Sequence, residues 1–331
     1  MSARPRPGPR IAVIGGGTGL SVLLRGLKKR YGLLTAIVTV ADDGGNSGVL
    51  REDLGMLPPG DVRSCLLALA DEENAMREIL KYRFKDGRLA GQSMGNLMIA
   101  ALNEIYGNFE EAVSRMSDIL RVQGRVIPIT SAAVRLCAEL ENGNLVFGES
   151  QIPRVVLSEA SPIKRVFLWP SDSDASVAAC RAVSDADVVL IGPGSLFTSI
   201  IPNFLSRGLR EALSASRGAK VYVCNVMTQP GETDGFGVRE HVERLAEYTG
   251  AGLIEYVIAN DRVPDADALK PYASDGARRV VPTERDAEYL RQNGIRLLRG
   301  DFIEIKNGYI RHDSGRIADA IAGLAARAGV G

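Results

Sequence analysis

Residues Ile11–Val40 read "IAVIGGGTGLSVLLRGLKKRYGLLTAIVTV", and this stretch decides the fold. An apolar run, Ile11 to Ile14, has the length of a short strand and stops at three glycines. Leu20, Leu23, Leu24 and Leu27 then recur at helical spacing. Lys28, Lys29 and Arg30 fall in the last turn of that helix, where cations suit the dipole. Gly32 is a helix stop signal. A second apolar run, Leu34 to Val40, follows at once. Strand, helix and strand with short connections make a β-α-β unit, the signature of a parallel sheet.

The same grammar returns later in the chain. Val188 to Ile191 is apolar and ends at Gly192, Lys220 to Cys224 runs into "NVMTQPGET", and Leu253 to Ala259 runs into "ANDRVP". In "LPPGDVRSCLLALA", Leu57–Ala70, Val62, Cys65, Leu66 and Leu69 share one helical face, with Asp61 expected as the N-cap. "GQSMGNLMIAALNEIYG", Gly91–Gly107, supplies another helix with Met94, Leu97, Met98, Ala101, Leu102 and Ile105 at core spacing. Residues from about 125 to 169 alternate in character around an "NGN" turn, which predicts a small β-rich insertion. A last amphipathic helix is expected after Asp313. The expected architecture is α/β: a Rossmann-like three-layer sandwich with a mainly parallel sheet, one domain over residues 11–331. An Arg- and Pro-rich tail, residues 1–10, is expected to be disordered.

Composition bounds the function. Of the 331 residues, 40 are Lys or Arg and 40 are Asp or Glu, so the net charge is near zero. That argues against bulk electrostatic binding to nucleic acid or to anionic membranes. No apolar run is long enough to span a membrane, and no apolar signal region follows the N-terminus. Cys65, Cys137, Cys180 and Cys224 lie far apart among apolar neighbours, as buried thiols in a reducing cytosol do. A cytoplasmic protein is expected, with a small-molecule partner, a nucleotide-sugar or dinucleotide, and with a homodimer left open. The two histidines, His241 and His312, have no partner at metal spacing, and no nucleophile elbow is present. His241 is expected on a helix surface.

Five predicted strands end in glycine- or amide-rich loops: "GGGTG", "ADDGGNSG", "GPGS", "NVMTQPGET" and "ANDRVP". Ligands of open α/β sheets bind beyond the carboxyl ends of parallel strands, so these loops are expected to share one binding rim. In the first, Gly16, Gly17, Thr18, Gly19 and Leu20 open a helix whose free amides can take an anion. The dinucleotide fingerprint is not matched, since its third glycine falls on Leu20. In "GPGSLFTSIIPN", Gly192, Pro193, Gly194, Ser195 and Thr198 form a second oxygen-binding loop. Two facing anion cradles fit a diphosphate or nucleotide-sugar better than a single phosphate. Asp42 and Asp43, followed by Gly44 and Ser47, stand where a ribose is often gripped, and they are equally suited to a magnesium ion beside phosphate. Asp61 and Arg63 add a carboxylate and a guanidinium. Arg63 reads as a phosphate clamp or as a solvated helix arginine.

These stretches together resemble the CofD-like family, and within it the YvcK-type branch of bacterial gluconeogenesis factors. The resemblance rests on "GGGTGLSVLLRGLK", "VTVADDGGNSGVLR", "LPPGDVRSCLLAL", "GQSMGNLMIAAL", "IGPGSLFTSIIPN", "CNVMTQPGETDGF", "VIAN" and "RHD", spread from residue 15 to residue 313. It implies a Rossmann-like fold. One branch resembles the 2-phospho-L-lactate transferases, which move a phospholactyl group from a nucleotide-activated donor to a deazaflavin with magnesium. The YvcK-type branch looks like regulators that bind UDP-sugars, notably UDP-N-acetylglucosamine, and affect carbon use and cell shape. The resemblance places ligand contacts on the two glycine loops, Asp42, Asp43, Asn96, Asn225 and Asn260, with Tyr272 and Arg311 gripping the nucleotide-sugar. Gln92 stands where the family pattern has histidine, Ser64 where it has asparagine and Asn46 where it has serine. A glutamine cannot do acid–base work, so no proton carrier is expected at Gln92.

Three functions remain in contention on sequence. The first is a nucleotide-sugar-binding regulator. The second is a magnesium-dependent phospholactyl or phosphoryl transferase, whose chemistry needs little beyond positioning and a metal at Asp42 and Asp43. The third is an NAD-binding protein, disfavoured by the missing third glycine.

Overall fold

A computed structural model describes residues 8–71 and 75–327. Most of the expected N-terminal tail, residues 1–7, lies outside the described residues. Of the rest, Arg10 is anchored: its backbone N–H donates to Asp187 Oδ2 at 2.7 Å.

Among the described residues twelve strands are formed: β1 Ile11–Gly15, β2 Leu34–Val38, β3 Arg125–Pro128, β4 Arg135–Leu140, β5 Leu145–Phe147, β6 Ile163–Trp169, β7 Val188–Ile191, β8 Ala219–Val223, β9 Tyr256–Asn260, β10 Arg296–Gly300, β11 Ile303–Lys306 and β12 Tyr309–His312. Seven of them build one sheet in the order β10-β9-β8-β7-β1-β2-β3. Every pairing in it is parallel, with Val13 opposite Ala36 on one side and Leu190 on the other. Helices cover both faces, which is why β1 and β7 are apolar at every position rather than alternating. The fold is the α/β sandwich expected from the β-α-β opening.

The helix Gly17–Leu27 shows how the pattern becomes packing. Leu20, Leu23, Leu24 and Leu27 are all fully buried. They face the helices Gly60–Leu69 and Ser314–Arg327, so the first and last helices of the described chain touch. Burial of four such leucines is worth about 1.5–3 kcal/mol each before the entropy cost of ordering them. The four cysteines are free; Cys65, Cys137 and Cys224 are buried and Cys180 is half-buried.

The β-rich insertion begins later than the turn signals suggested. Arg125–Pro128 is the edge strand β3 of the main sheet, paired parallel with β2. The antiparallel part starts at Arg135 and consists of β5-β4-β6. Alternation around "NGN" fixed the hairpin but carried no information on which sheet the preceding strand joins. A separate hairpin, β11–β12, packs on Val226, Ala268 and Tyr272. The Tyr272 hydroxyl pins it by accepting from Ile310 N at 3.0 Å and donating to Ile310 O at 3.2 Å.

Candidate functional site

The strand order reverses between β7 and β1: the chain moves outward from β1 to β2 and β3, then returns to place β7 on the other side. At such a switch point the two following loops splay apart and leave a crevice. A cavity of about 300 Å³ lies there. Its floor is Gly16, Gly17, Thr18 and Gly19 after β1 and Pro193, Gly194 and Ser195 after β7. The loops touch so closely that glycine is required. A Cβ on Gly19 would lie 2.9 Å from Pro193 O, and one on Gly194 would lie 3.2 Å from Gly16 O. Asn203 closes the joint from below, with its buried side-chain amide donating to Gly15 O at 3.3 Å. Gly16 provides no side-chain cap, and among the described residues Asp61 is the side-chain partner of the amides that start the helix Gly17–Leu27, through Gly17 N.

The other walls come from β8 and from the β11–β12 hairpin. Asn225, Met227 and Gln229 follow β8, and Tyr272, Ile310, Arg311 and His312 complete the lining. Gln229 ties the β8 loop to the β7 loop, with Nε2 donating to Ser195 Oγ at 2.6 Å. The His312 Nε2 lies 3.0 Å from Cys224 O. A carbonyl only accepts, so this nitrogen carries the proton and the other ring nitrogen keeps its lone pair. Burial holds His312 neutral, with its pKa pushed down to about 4.

A second cavity of about 290 Å³ gathers other expected residues: Asp42, Gly44, Ser47, Asp61, Arg63 and Asn96. Asp42 Oδ1 accepts from Gly44 N at 2.8 Å. Asp61 Oδ2 accepts from Gly17 N at 2.7 Å, so this carboxylate reaches the first cavity's loop while lining the second. Burial, then the charge of Asp42, pushes Asp61 up to about 6. Burial also raises Asp42. Arg63 is lowered, first by burial and then by the nearby Arg83.

Several expected placements are corrected. Asp61 is not a helix cap, because Pro59 holds the cap position of Gly60–Leu69 without a side-chain bond. Asp43 lines neither cavity; its Oδ1 accepts from Ser150 N at 2.9 Å and braces the β-rich insertion. Thr198 donates to Glu232 Oε1 at 3.2 Å, and Gly192 sits beneath the loop with φ +78 rather than on the cavity wall. Asn260 closes the turn after β9, donating to Arg262 O at 2.9 Å and accepting from Phe302 N at 3.1 Å. Leu20 belongs to the core. His241, expected on a helix surface, is fully buried with Nδ1 2.7 Å from Gly237 O and its ring edge-on to Phe236.

Two acids escaped the sequence reading. Glu149 is pushed up to about 8 by burial and then by the charges of Asp42, Glu232, Asp43 and Asp61. Glu232 is pushed up to about 7 by burial, against hydrogen bonds from Thr198 and Phe197. Glu232 sat within the quoted "NVMTQPGET" loop and was legible as a polar site there. Glu149 lies in the insertion, and no local pattern marks it. Among the described residues, no group of three or more His, Cys, Asp or Glu is placed to hold a metal ion, and no helix is long and apolar enough to cross a membrane.

Known proteins match this geometry along nearly the whole chain. A protein of Thermoanaerobacterium thermosulfurigenes is 50% identical over 317 residues, covering 96% of this chain and 97% of its own. The gluconeogenesis factor of Bacillus subtilis is 44% identical over 318 residues, covering 96% of this chain and 98% of its own. A crystal structure of a Bacillus halodurans protein superposes with a TM-score of 0.91 at 40% identity, covering 95% of this chain and 99% of that one. The family model described as 2-phospho-L-lactate transferase CofD matches residues 11–303, and with these relatives it makes the chain a member of the CofD family, on the side of the gluconeogenesis factors.

Proposed function

We propose that the protein binds a nucleotide-sugar of the UDP-N-acetylglucosamine kind in the first cavity and acts through it as a regulator of carbon metabolism and cell shape. The observation that carries this reading is the pair of glycine loops in mutual contact at the β7–β1 switch point. Two backbone cradles side by side suit a diphosphate, because each supplies amides and hydroxyls without a competing side chain. The walls beyond them offer Asn225, Tyr272 and Arg311, which suit a base, a sugar and residual phosphate charge. The name gluconeogenesis factor of the Bacillus subtilis relative supports the link to carbon metabolism. A slow or absent turnover fits the cavity's inventory, since its one histidine is neutral and held by a backbone carbonyl.

A second reading is favoured by the acids and by the name of the family model: a magnesium-dependent transferase of the phospholactyl type. Two carboxylates beside substrate phosphate suffice for magnesium. Asp42 and Asp61, which share a cavity and of which Asp42 raises Asp61, fit that role; Asp43, spent on Ser150, does not. Calorimetric titration with UDP-N-acetylglucosamine, other UDP-sugars, GDP and NAD, with and without magnesium, separates the readings. Metal-independent UDP-sugar binding supports the regulator. Guanine-nucleotide binding that requires magnesium supports the transferase, and binding of NAD alone overturns both.

A further inference from the structure

We infer that the second cavity is a separate site for a small phosphate monoester bearing hydroxyl groups. Its lining combines two kinds of chemistry. It carries the guanidiniums of Arg63 and Arg83. Arg83 donates one N–H to Gly91 O at 2.9 Å, and the buried Nε of Arg63 has no hydrogen-bond partner. Arg63 is lowered by burial first and then by the charge of Arg83, with Asp61 acting against both, and a phosphate dianion would give its unpartnered Nε a charge-assisted acceptor. The lining also carries acceptors: the carboxylates of Asp42 and Asp61 and the side-chain oxygen of Asn96. Asn96 is only 2% exposed, yet its Oδ1 has no donor. A buried acceptor left without a donor costs about 1–3 kcal/mol, so this oxygen marks a place for a ligand hydroxyl. A ligand that satisfies both must present an anion and hydroxyl donors together, within about 290 Å³. A phosphorylated polyol does so.

The site is distinct from the nucleotide cavity because Asp61 stands between them. Its Oδ2 is committed to Gly17 N, and a Cβ on Gly16 would lie 2.8 Å from that same oxygen, so the carboxylate packs directly against the first cavity's loop. A ligand hydroxyl on Asp61 therefore touches the support of the first cavity's loop.

The test is calorimetric titration of the full chain with glycerol 3-phosphate, with glycerol and inorganic phosphate as controls. Saturable binding of glycerol 3-phosphate is expected, tighter than inorganic phosphate, and undiminished when UDP-N-acetylglucosamine is present in excess. Arg83 is exposed, so Arg83→Ala should keep its melting temperature and bind about tenfold more weakly or worse, the scale of one lost charge-assisted contact. Asn96→Asp, nearly isosteric, should weaken binding by repelling the phosphate. Absence of saturable heat, equal affinity for inorganic phosphate, unchanged affinity in both variants, or competition by UDP-N-acetylglucosamine would each overturn the proposal. Failure of UDP-N-acetylglucosamine to bind at all counts against the nucleotide-sugar reading alone and leaves the glycerol 3-phosphate results to decide this one.

Discussion

Asp61 Oδ2 accepts the Gly17 N–H at 2.7 Å across 44 residues of sequence, so a carboxylate from one helix start holds the glycine loop of another. The bond replaces the cap that Gly16 cannot provide. Asp61→Ala leaves that N–H without its partner and should cost about 1–3 kcal/mol of stability. Affinity for the nucleotide-sugar should fall at least tenfold, because the loop loses its fixed geometry. Asp61→Asn retains an acceptor and should recover most of the stability. Urea unfolding together with calorimetry checks both, and an alanine variant with unchanged affinity would remove Asp61 from the binding machinery.

Stability should fall as pH rises above neutrality. Asp61, Glu232 and Glu149 sit at about 6, 7 and 8 in the folded chain, above the usual carboxylate range. The folded state therefore binds more protons than the unfolded chain up to these values. The stability so gained is complete at the acid end and is lost as pH rises through them. His312 and His241 are shifted down, so they act in the opposite sense, but only below their ordinary value of 6.5. From pH 6.5 to about 8.5 the carboxylates decide the slope. The melting temperature should decline over that interval, and Glu149→Gln should flatten the decline. A wild-type profile that rises there would contradict the buried acid cluster.

Gly19→Ala tests the contact between the two cradles. The added Cβ would sit 2.9 Å from Pro193 O, a backbone atom that cannot swing aside. Overpacking of this kind costs about 1–3 kcal/mol. Loss of nucleotide-sugar binding should accompany it, while Gly323→Ala, with open space around its Cβ at an exposed helical position, should leave binding unchanged and stabilise by about 0.5–1 kcal/mol. Equal behaviour of the two variants would show that the loops are ordinary connectors.

Asp43 is expected to behave as a brace. Its Oδ1 takes Ser150 N at 2.9 Å, linking the loop after β2 to the antiparallel insertion. Asp43→Ala should lower stability by about 1–2 kcal/mol through the lost charge-assisted bond. Nucleotide-sugar affinity should stay within about twofold, since that is under half a kcal/mol. A large affinity loss at unchanged melting temperature would return Asp43 to the ligand.

The sheet was legible because parallel strands buried on both faces leave unbroken apolar runs, and Ile11–Gly15 and Val188–Ile191 are such runs. The rim was legible for the same reason: each run stops where glycine begins. What local pattern could not convey is where a side chain turns once the loop has folded. Asp42 and Asp43 are neighbours in sequence, yet one faces a cavity and the other the insertion. Asp61 looked like a cap because it opens a helix, and the long-range amide of Gly17 claimed it instead. His241 is polar and stands among Arg239, Glu240, Glu243 and Arg244, but it falls on the buried stripe of Val238, Val242 and Leu245 and packs against Phe236. Glu149 gains its character from burial first and then from four acids brought in by other segments.

The joint beneath the first cavity, where Asn203 meets Gly15 across 188 residues, has a kinetic consequence. Under the proposed reading, a diphosphate that needs both cradles finds no complete site until most of the chain has been synthesised and the β7 half has docked against the β1 half. A ligand that needs both cradles arrives too late to guide folding and acts mainly by slowing escape from the finished state. Resistance to proteolysis in the presence of ligand is thus a measure of whether a chain is whole, and a chain cut between the two cradles should forfeit that protection even where its helices survive.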